Sequence, residues 1–142
     1  MKEGLRPGVS KVRHLVVDRD RTISFMGEKG RVYSTPDLAR DMEHACRDLL
    51  LDYAETGEDS VGIEITVRHT APTLPGMAVN ITATVTAVEG RKVTFDLVAT
   101  DEIEPIGSGT HSRFVVDVAK THERLKAKAA KAAVERAPAR AQ

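Results

Sequence analysis

Between residues 36 and 54 the apolar side chains recur every three or four positions. Leu38, Met42, Ala45, Leu49 and Tyr53 form one stripe, which Cys46 and Leu50 widen. That period predicts one amphipathic helix over 36–54. Thr35 reads as its N-cap, Pro36 as its first helical residue, and Asp37 complements the positive end of the helix dipole. Gly57 follows its end. Arg40, Asp41, His44, Arg47 and Asp48 fall on the opposite, charged face, and Glu43 projects just beyond the edge of the stripe.

After Gly57 the period changes to two. Residues 60–70, 77–88, 92–100 and 106–118 alternate or are rich in β-branched side chains, which predicts four strands. A proline-containing break, Ala71 to Gly76, separates the first two, and Glu89-Gly90 reads as a hairpin turn. Upstream, 12–17 and 21–26 are short strand candidates split by Asp18-Arg19-Asp20, and the polar, glycine-containing stretch 26–31 reads as a loop. One 19-residue helix cannot cover both faces of a four-stranded antiparallel sheet. The expected architecture is therefore α+β, with the sheet wrapped around one long central helix. Its outermost strands would expose an edge, so a homodimer is expected.

Composition narrows the class. The 142 residues are 41% hydrophobic and 30% charged, as in a globular domain with a real core. No apolar run approaches the roughly 18 residues of a membrane-spanning helix. The N-terminus has no apolar signal segment and Cys46 is the single cysteine, so a cytoplasmic protein without disulfides is expected. The net charge is zero but unevenly spread. Residues 1–119 carry 14 Lys/Arg against 19 Asp/Glu, and residues 120–142 carry 7 against 2. This divides the chain into a domain, 1–119, and a basic helical or disordered tail, 120–142. The tail has no aromatic residue for base stacking and the body is acidic, so a nucleic-acid partner is not expected.

Three polar residues in structured surroundings could do chemistry: Thr35 before the helix, Glu43 on it, and His69 at a strand end. A hydroxyl, a carboxylate and an imidazole are the parts of an activated-nucleophile or activated-water site. Each also has a plain structural reading: Thr35 as a cap, Glu43 paired with Arg40 or Arg47, and His69 as a hydrogen-bonded structural residue on the face of Ile63, Ile65 and Val67. Gly62 inside a strand marks close approach of backbone or ligand. Gly107 and Gly109 flank Ser108 without the Lys-Ser/Thr of a phosphate loop, and His111 and Arg113 alternate outward from them. No metal-ligand spacing and no dinucleotide fingerprint occurs, so neither a metal nor a cofactor is expected.

Several separate blocks nevertheless share one resemblance. Met42-Glu43-His44-Ala45-Cys46, Val67-Arg68-His69-Thr70-Ala71 with Pro75-Gly76, Val88-Glu89-Gly90-Arg91, and Ile106 through Arg113 (IGSGTHSR) occur in order. Together they resemble the fluoroacetyl-CoA thioesterase and its relatives, a hot-dog-fold family, from the opening Met-Lys-Glu-Gly to about Val118. The resemblance implies an acyl-CoA substrate cleaved at a Thr/Glu/His site, which falls on Thr35, Glu43 and His69. It also implies that Gly62 lines the acyl end, that Arg113 is near the site, and that the pocket lies at a dimer interface. The Phe-rich lid of the fluoroacetyl-specific enzyme corresponds to a shorter segment here, 24–33, in which Phe25 and Tyr33 are the candidate substrate-binding aromatics. Weak selectivity for a fluorinated acyl group follows. The competing readings are a non-catalytic acyl- or small-ligand-binding hot-dog protein and a hot-dog hydratase or dehydratase, although the close Asp–His pair that marks the latter does not follow the helix.

Overall fold

The computed structural model describes residues 1–141, with side chains through Arg136. The elements are β1 (Ser10–Val16), β2 (Thr22–Ile23), β3 (Val32–Tyr33), α1 (Thr35–Leu51), β4 (Glu58–His69), β5 (Ala78–Glu89), β6 (Lys92–Thr100), β7 (Pro105–Asp117) and α2 (Val118–Ala141). Two short 3-10 turns, Arg19–Arg21 and Glu28–Gly30, flank the small β2 strand.

β1, β5, β6, β7 and β4 form one five-stranded antiparallel sheet in that spatial order. β2, within the strand candidate 21–26, pairs separately with β3, and the expected loop 26–31 joins the two. The large sheet is apolar on one face. Val79, Ile81, Ala83 and Val85 of β5 and Val93, Phe95, Leu97 and Ala99 of β6 are buried by strict alternation. α1 lies against that face, in contact with β1, β4, β5 and β7. Its Leu38, Met42, Ala45, Cys46, Leu49 and Leu50 are all buried. Burial of each large apolar side chain is worth roughly 1.5–3 kcal/mol, so this stripe holds helix and sheet together. The sheet thus wraps around one long helix, as the sequence pattern predicts.

Local differences have physical causes. α1 ends at Leu51, where Asp52 donates its N–H back to Leu49 and Leu50, and Tyr53 lies beyond it. The hairpin turn is Gly90-Arg91, because Glu89 pairs with Lys92, and Gly90 takes the positive φ of +62° that a tight turn requires. A β-bulge at Ile63 shifts the register of β4 between Gly62 and Glu64. Ile63 is therefore 54% exposed, and Ser60 and Gly62 share the inner face with Ile65, Val67 and His69. α2 continues directly from β7, with Leu125 and Val134 exposed; Gln142, the last residue of the expected tail, lies outside the described residues.

Candidate functional site

Ser34 and Thr35 are adjacent hydroxyls at a helix start, and the fold gives them different tasks. Ser34 is the N-cap: it is buried, and its Oγ accepts the Asp37 N–H at 3.1 Å. Its own N–H donates to the Arg21 carbonyl at 2.9 Å, and its carbonyl accepts the Leu38 N–H at 3.0 Å. The expected cap, Thr35, is instead the first helical residue. Its exposed hydroxyl lies 2.9 Å from Nδ1 of His69, the last residue of β4.

Thr35 and His69 line an open cleft of about 270 Å³ together with Ile23, Val32, Tyr33, Thr70, Ala71 and Pro72. Apart from the hydroxyl and the ring, its walls are mostly apolar. Burial lowers the proton affinity of His69 below that of an ordinary histidine, which favours the neutral imidazole. A neutral ring 2.9 Å from a hydroxyl can accept its proton. Of the first N–H groups of α1, those of Asp37 and Leu38 are taken by Ser34, and Pro36 has none.

Glu43 belongs to a second cluster. It makes no ion pair with Arg40 or Arg47, because Arg40 faces Asp37 at 3.8 Å and Arg47 is held by Asp59 at 2.7 and 3.0 Å. Its Oε1 points to Gly62. A β-carbon on Gly62 would meet His111 Cε1 at 3.3 Å, Arg113 Nη1 at 3.6 Å and Glu43 Oε1 at 3.8 Å. Three polar side chains therefore converge on the space that only glycine leaves open.

His111 and Arg113, expected to face outward, are 2% and 5% exposed. They point inward because their partners lie across the strand pair on β4. Arg113 donates from Nε to Ser60 Oγ and from Nη2 to the Ser60 carbonyl, both at 2.8 Å. The Glu64 carbonyl, 2.7 Å from His111 Nδ1, can only accept, so Nδ1 carries the proton. Nε2 is then free to accept from Arg113 Nη1 at 3.2 Å. Burial lowers the proton affinity of both groups, and the neighbouring Arg113 charge further disfavours a charged His111. Nearby, burial pushes the Cys46 thiol up to about 12, so it stays protonated.

The two clusters are separated within the chain. Glu43 is two helical turns from Thr35, about 12 Å at ~1.5 Å per residue. Gly62 and His69 stand roughly 23 Å apart along β4 at ~3.3 Å per residue. The structure thus brings Thr35 to His69, and Glu43 to Gly62 and Arg113. The two aromatics of the preceding segment differ sharply. Phe25 is 91% exposed and does not line the cleft, whereas Tyr33 is buried and forms part of its wall.

One network escapes the sequence reading. Asp41, assigned above to the charged outer face, is 2% exposed. It accepts from Tyr33 Oη at 2.5 Å and from Arg21 Nε and Nη2 at 2.9 and 3.2 Å. The signal was present: Asp41 sits three residues after Leu38 and four before Ala45, on the buried stripe. Among the described residues no cluster of His, Cys, Asp and Glu could hold a metal ion, and no helix is long and apolar enough to cross a membrane.

A sheet curled around one helix, with a hydroxyl–imidazole pair where the helix begins, places the chain among the hot-dog-fold proteins. A hot-dog-like protein from Thermanaerovibrio acidaminovorans is 25% identical with a TM-score of 0.78, over 86% of this chain and 91% of that one. The solved structure of the fluoroacetyl-CoA thioesterase FlK is 34% identical with a TM-score of 0.81, over 89% of this chain and 98% of that one. The fluoroacetyl-CoA thioesterase of Streptantibioticus cattleyicolor is 36% identical over 135 residues, 90% of this chain and 97% of that protein. The profile of the family described as fluoroacetyl-CoA-specific thioesterase matches residues 17–119. Within the hot-dog class, the chain belongs to that family.

Proposed function

We propose that this protein is an acyl-CoA thioesterase that hydrolyses a small acyl thioester with Thr35, His69 and Glu43. The observation that carries the reading is the 2.9 Å contact between the exposed Thr35 hydroxyl and His69 Nδ1, set in an apolar-walled cleft. It has the geometry of a nucleophile beside its base. Thr35 Oγ attacks the thioester carbonyl carbon as its proton passes to His69 Nδ1. The C–S bond breaks, and the CoA sulfur leaves with that proton. Water then cleaves the acyl–Thr35 ester, giving its proton to the Glu43 carboxylate, which passes it on to the departing Thr35 oxygen and so restores both groups. Water is the only co-substrate, and the reaction needs no cofactor.

Because Glu43 is remote from Thr35 in one chain, the site is completed by a second copy. A homodimer formed through the unpaired edge of β4, where Val61 and Ile63 are 45% and 54% exposed, would bring Glu43, Gly62 and Arg113 of one copy toward Thr35 and His69 of the other. The exposed Phe25 and the walled-in Tyr33 place no aromatic lid over the cleft, which favours weak discrimination between fluoroacetyl and acetyl thioesters.

The test is a hydrolysis screen over acyl-CoAs of graded length, followed by subunit mixing. Thr35→Ala and Glu43→Ala, each inactive alone, should regain about a quarter of wild-type activity when unfolded and refolded together, because half of the dimers then carry one intact site. No regain would place both residues of each site in one subunit. Mass analysis of Glu43→Ala after substrate addition should find the acyl group on the Thr35 peptide. Failure to hydrolyse any acyl-CoA would refute the thioesterase reading.

A further inference from the structure

His69 has one nitrogen engaged and one sealed. Nδ1 meets Thr35, while Nε2 is buried with no hydrogen-bond partner among the described residues. In a nucleophile–imidazole pair the ring is commonly oriented by an acceptor on its second nitrogen. Here that nitrogen is closed inside the protomer, so a carboxylate arriving from a second copy cannot reach it. Something else must hold the ring.

The group against it is Tyr33. The two rings stand edge to face, with centroids 6.1 Å apart and planes at 78°. Tyr33 is itself immobilised at its far end. Its hydroxyl donates to Asp41 Oδ2 at 2.5 Å, and Asp41 is gripped through both oxygens by Arg21. Arg21 also donates from Nη1 to Asp18 Oδ2 at 2.9 Å, and Asp18 caps the 3-10 turn that carries Arg21. The chain of contacts therefore joins the turn before β2, the end of β3, the middle of α1 and the end of β4.

We propose that Tyr33, clamped by the buried Asp41 and the half-buried Arg21 paired with it, is the positioning residue that fixes the His69 ring with Nδ1 toward Thr35. The inference rests on the thioesterase reading for its consequence in catalysis, but not for the geometry itself. A phenol ring held at both ends presents a fixed surface, and an imidazole packed edge to face on it has a preferred orientation. Asp41 is matched by Arg21, so the clamp places no unbalanced charge beneath His69. Consistently, the lowered proton affinity of His69 arises from burial alone. An ordinary core tyrosine needs only a hydrogen-bond partner. A buried carboxylate held in a bidentate ion pair and directed at one phenol beside a reactive imidazole is more than packing requires.

The experiment compares Tyr33→Leu, Tyr33→Phe and Asp41→Asn with wild type. Steady-state kinetics use whichever acyl-CoA from acetyl to octanoyl is hydrolysed fastest, and NMR follows the ¹⁵N shifts of the His69 ring nitrogens. Folded Tyr33→Leu should lose roughly tenfold to a hundredfold in kcat with KM changed less than about twofold, because a small misorientation of a catalytic group is costly. Its His69 nitrogens should move toward the shifts of a ring exchanging between tautomers. Tyr33→Phe and Asp41→Asn, which keep the ring but release the clamp, should show smaller changes in the same direction. If Tyr33→Leu does not fold, these two milder variants decide. Unchanged kcat and unchanged His69 shifts in folded variants would overturn the proposal. Full activity in folded His69→Ala would instead overturn the catalytic reading, while the His69 shifts would still report whether Tyr33 fixes the ring.

Discussion

Ser34 caps the helix that Thr35 begins: its Oγ accepts the Asp37 N–H at 3.1 Å, and the neighbouring hydroxyl is left to meet His69. Two adjacent residues of similar chemistry should therefore respond oppositely to alanine. Ser34→Ala should cost about 1 kcal/mol of stability through loss of the cap. Thr35→Ala should stay within about 0.5 kcal/mol of wild type in denaturant unfolding, as a surface change does, yet lose hydrolytic activity. Equal destabilisation by the two would show that Thr35 also serves as a cap.

The acid side of the rate profile is set by His69. Burial lowers its proton affinity, so the ring remains a neutral acceptor to lower pH than a free histidine with its pKa near ~6.5. Activity should be present above that point and fall as pH drops through the lowered His69 pKa. The acid limb of kcat/KM should have its midpoint below about 6.5. A midpoint above it would contradict a buried neutral base.

Three inner-face glycines should differ in tolerance. A β-carbon on Gly62 would sit 3.3 Å from His111 Cε1, a contact that a small shift of the ring relieves. A β-carbon on Gly107 would lie 2.8 Å from the Arg68 carbonyl oxygen, and one on Gly109 would overlap the Thr66 carbonyl oxygen; both collide with backbone of the paired strand. Gly62→Ala should fold with a modest loss of stability but with reduced activity, because it intrudes between Glu43 and Arg113. Gly109→Ala should be the most destabilising of the three in thermal unfolding. A Gly109→Ala protein as stable as wild type would refute the tight β4–β7 approach.

The basic helix is expected to add little to the fold. Among the described residues it packs chiefly against β7, and Leu125 and Val134 lie 60% and 67% exposed. Truncation after Lys120 keeps the Lys120 N–H on Asp117 Oδ1, at 3.0 Å, and should leave the melting temperature nearly unchanged. Insoluble truncated protein would show that the helix covers apolar surface.

How far the sequence could be read depended on whether the deciding contact was local. Leu38, Met42, Ala45 and Leu49 announce α1, and the alternating residues of β5 and β6 announce the sheet, because periodicity reflects a single buried face. The bulge at Ile63 left no such mark, since shifting the register is a backbone event that no side-chain alternation records. Ser34 and Thr35 are equally good caps in isolation; His69, 34 residues away from Thr35, separates their roles. Arg113 and His111 read as outward because their partners, Ser60 and Glu64, come from a different strand. Asp41 was misplaced for the opposite reason. Its position in the stripe was plain, but a charge is rarely buried unless paired, and Arg21 lies 20 residues back in the chain. The meeting of Thr35 and His69 could be anticipated from the family resemblance, and the separation of Glu43 from Thr35 from their two-turn spacing along one helix.

The central claim is that Thr35, His69 and Glu43 together hydrolyse an acyl thioester. The most direct measurement is steady-state hydrolysis of acyl-CoA by Thr35→Ala, His69→Ala and Glu43→Ala, each first checked for a native melting transition. The account predicts a loss of about a hundredfold or more in kcat for each, the usual range for removing a nucleophile or a general base. Full activity in folded His69→Ala or Glu43→Ala protein would contradict it.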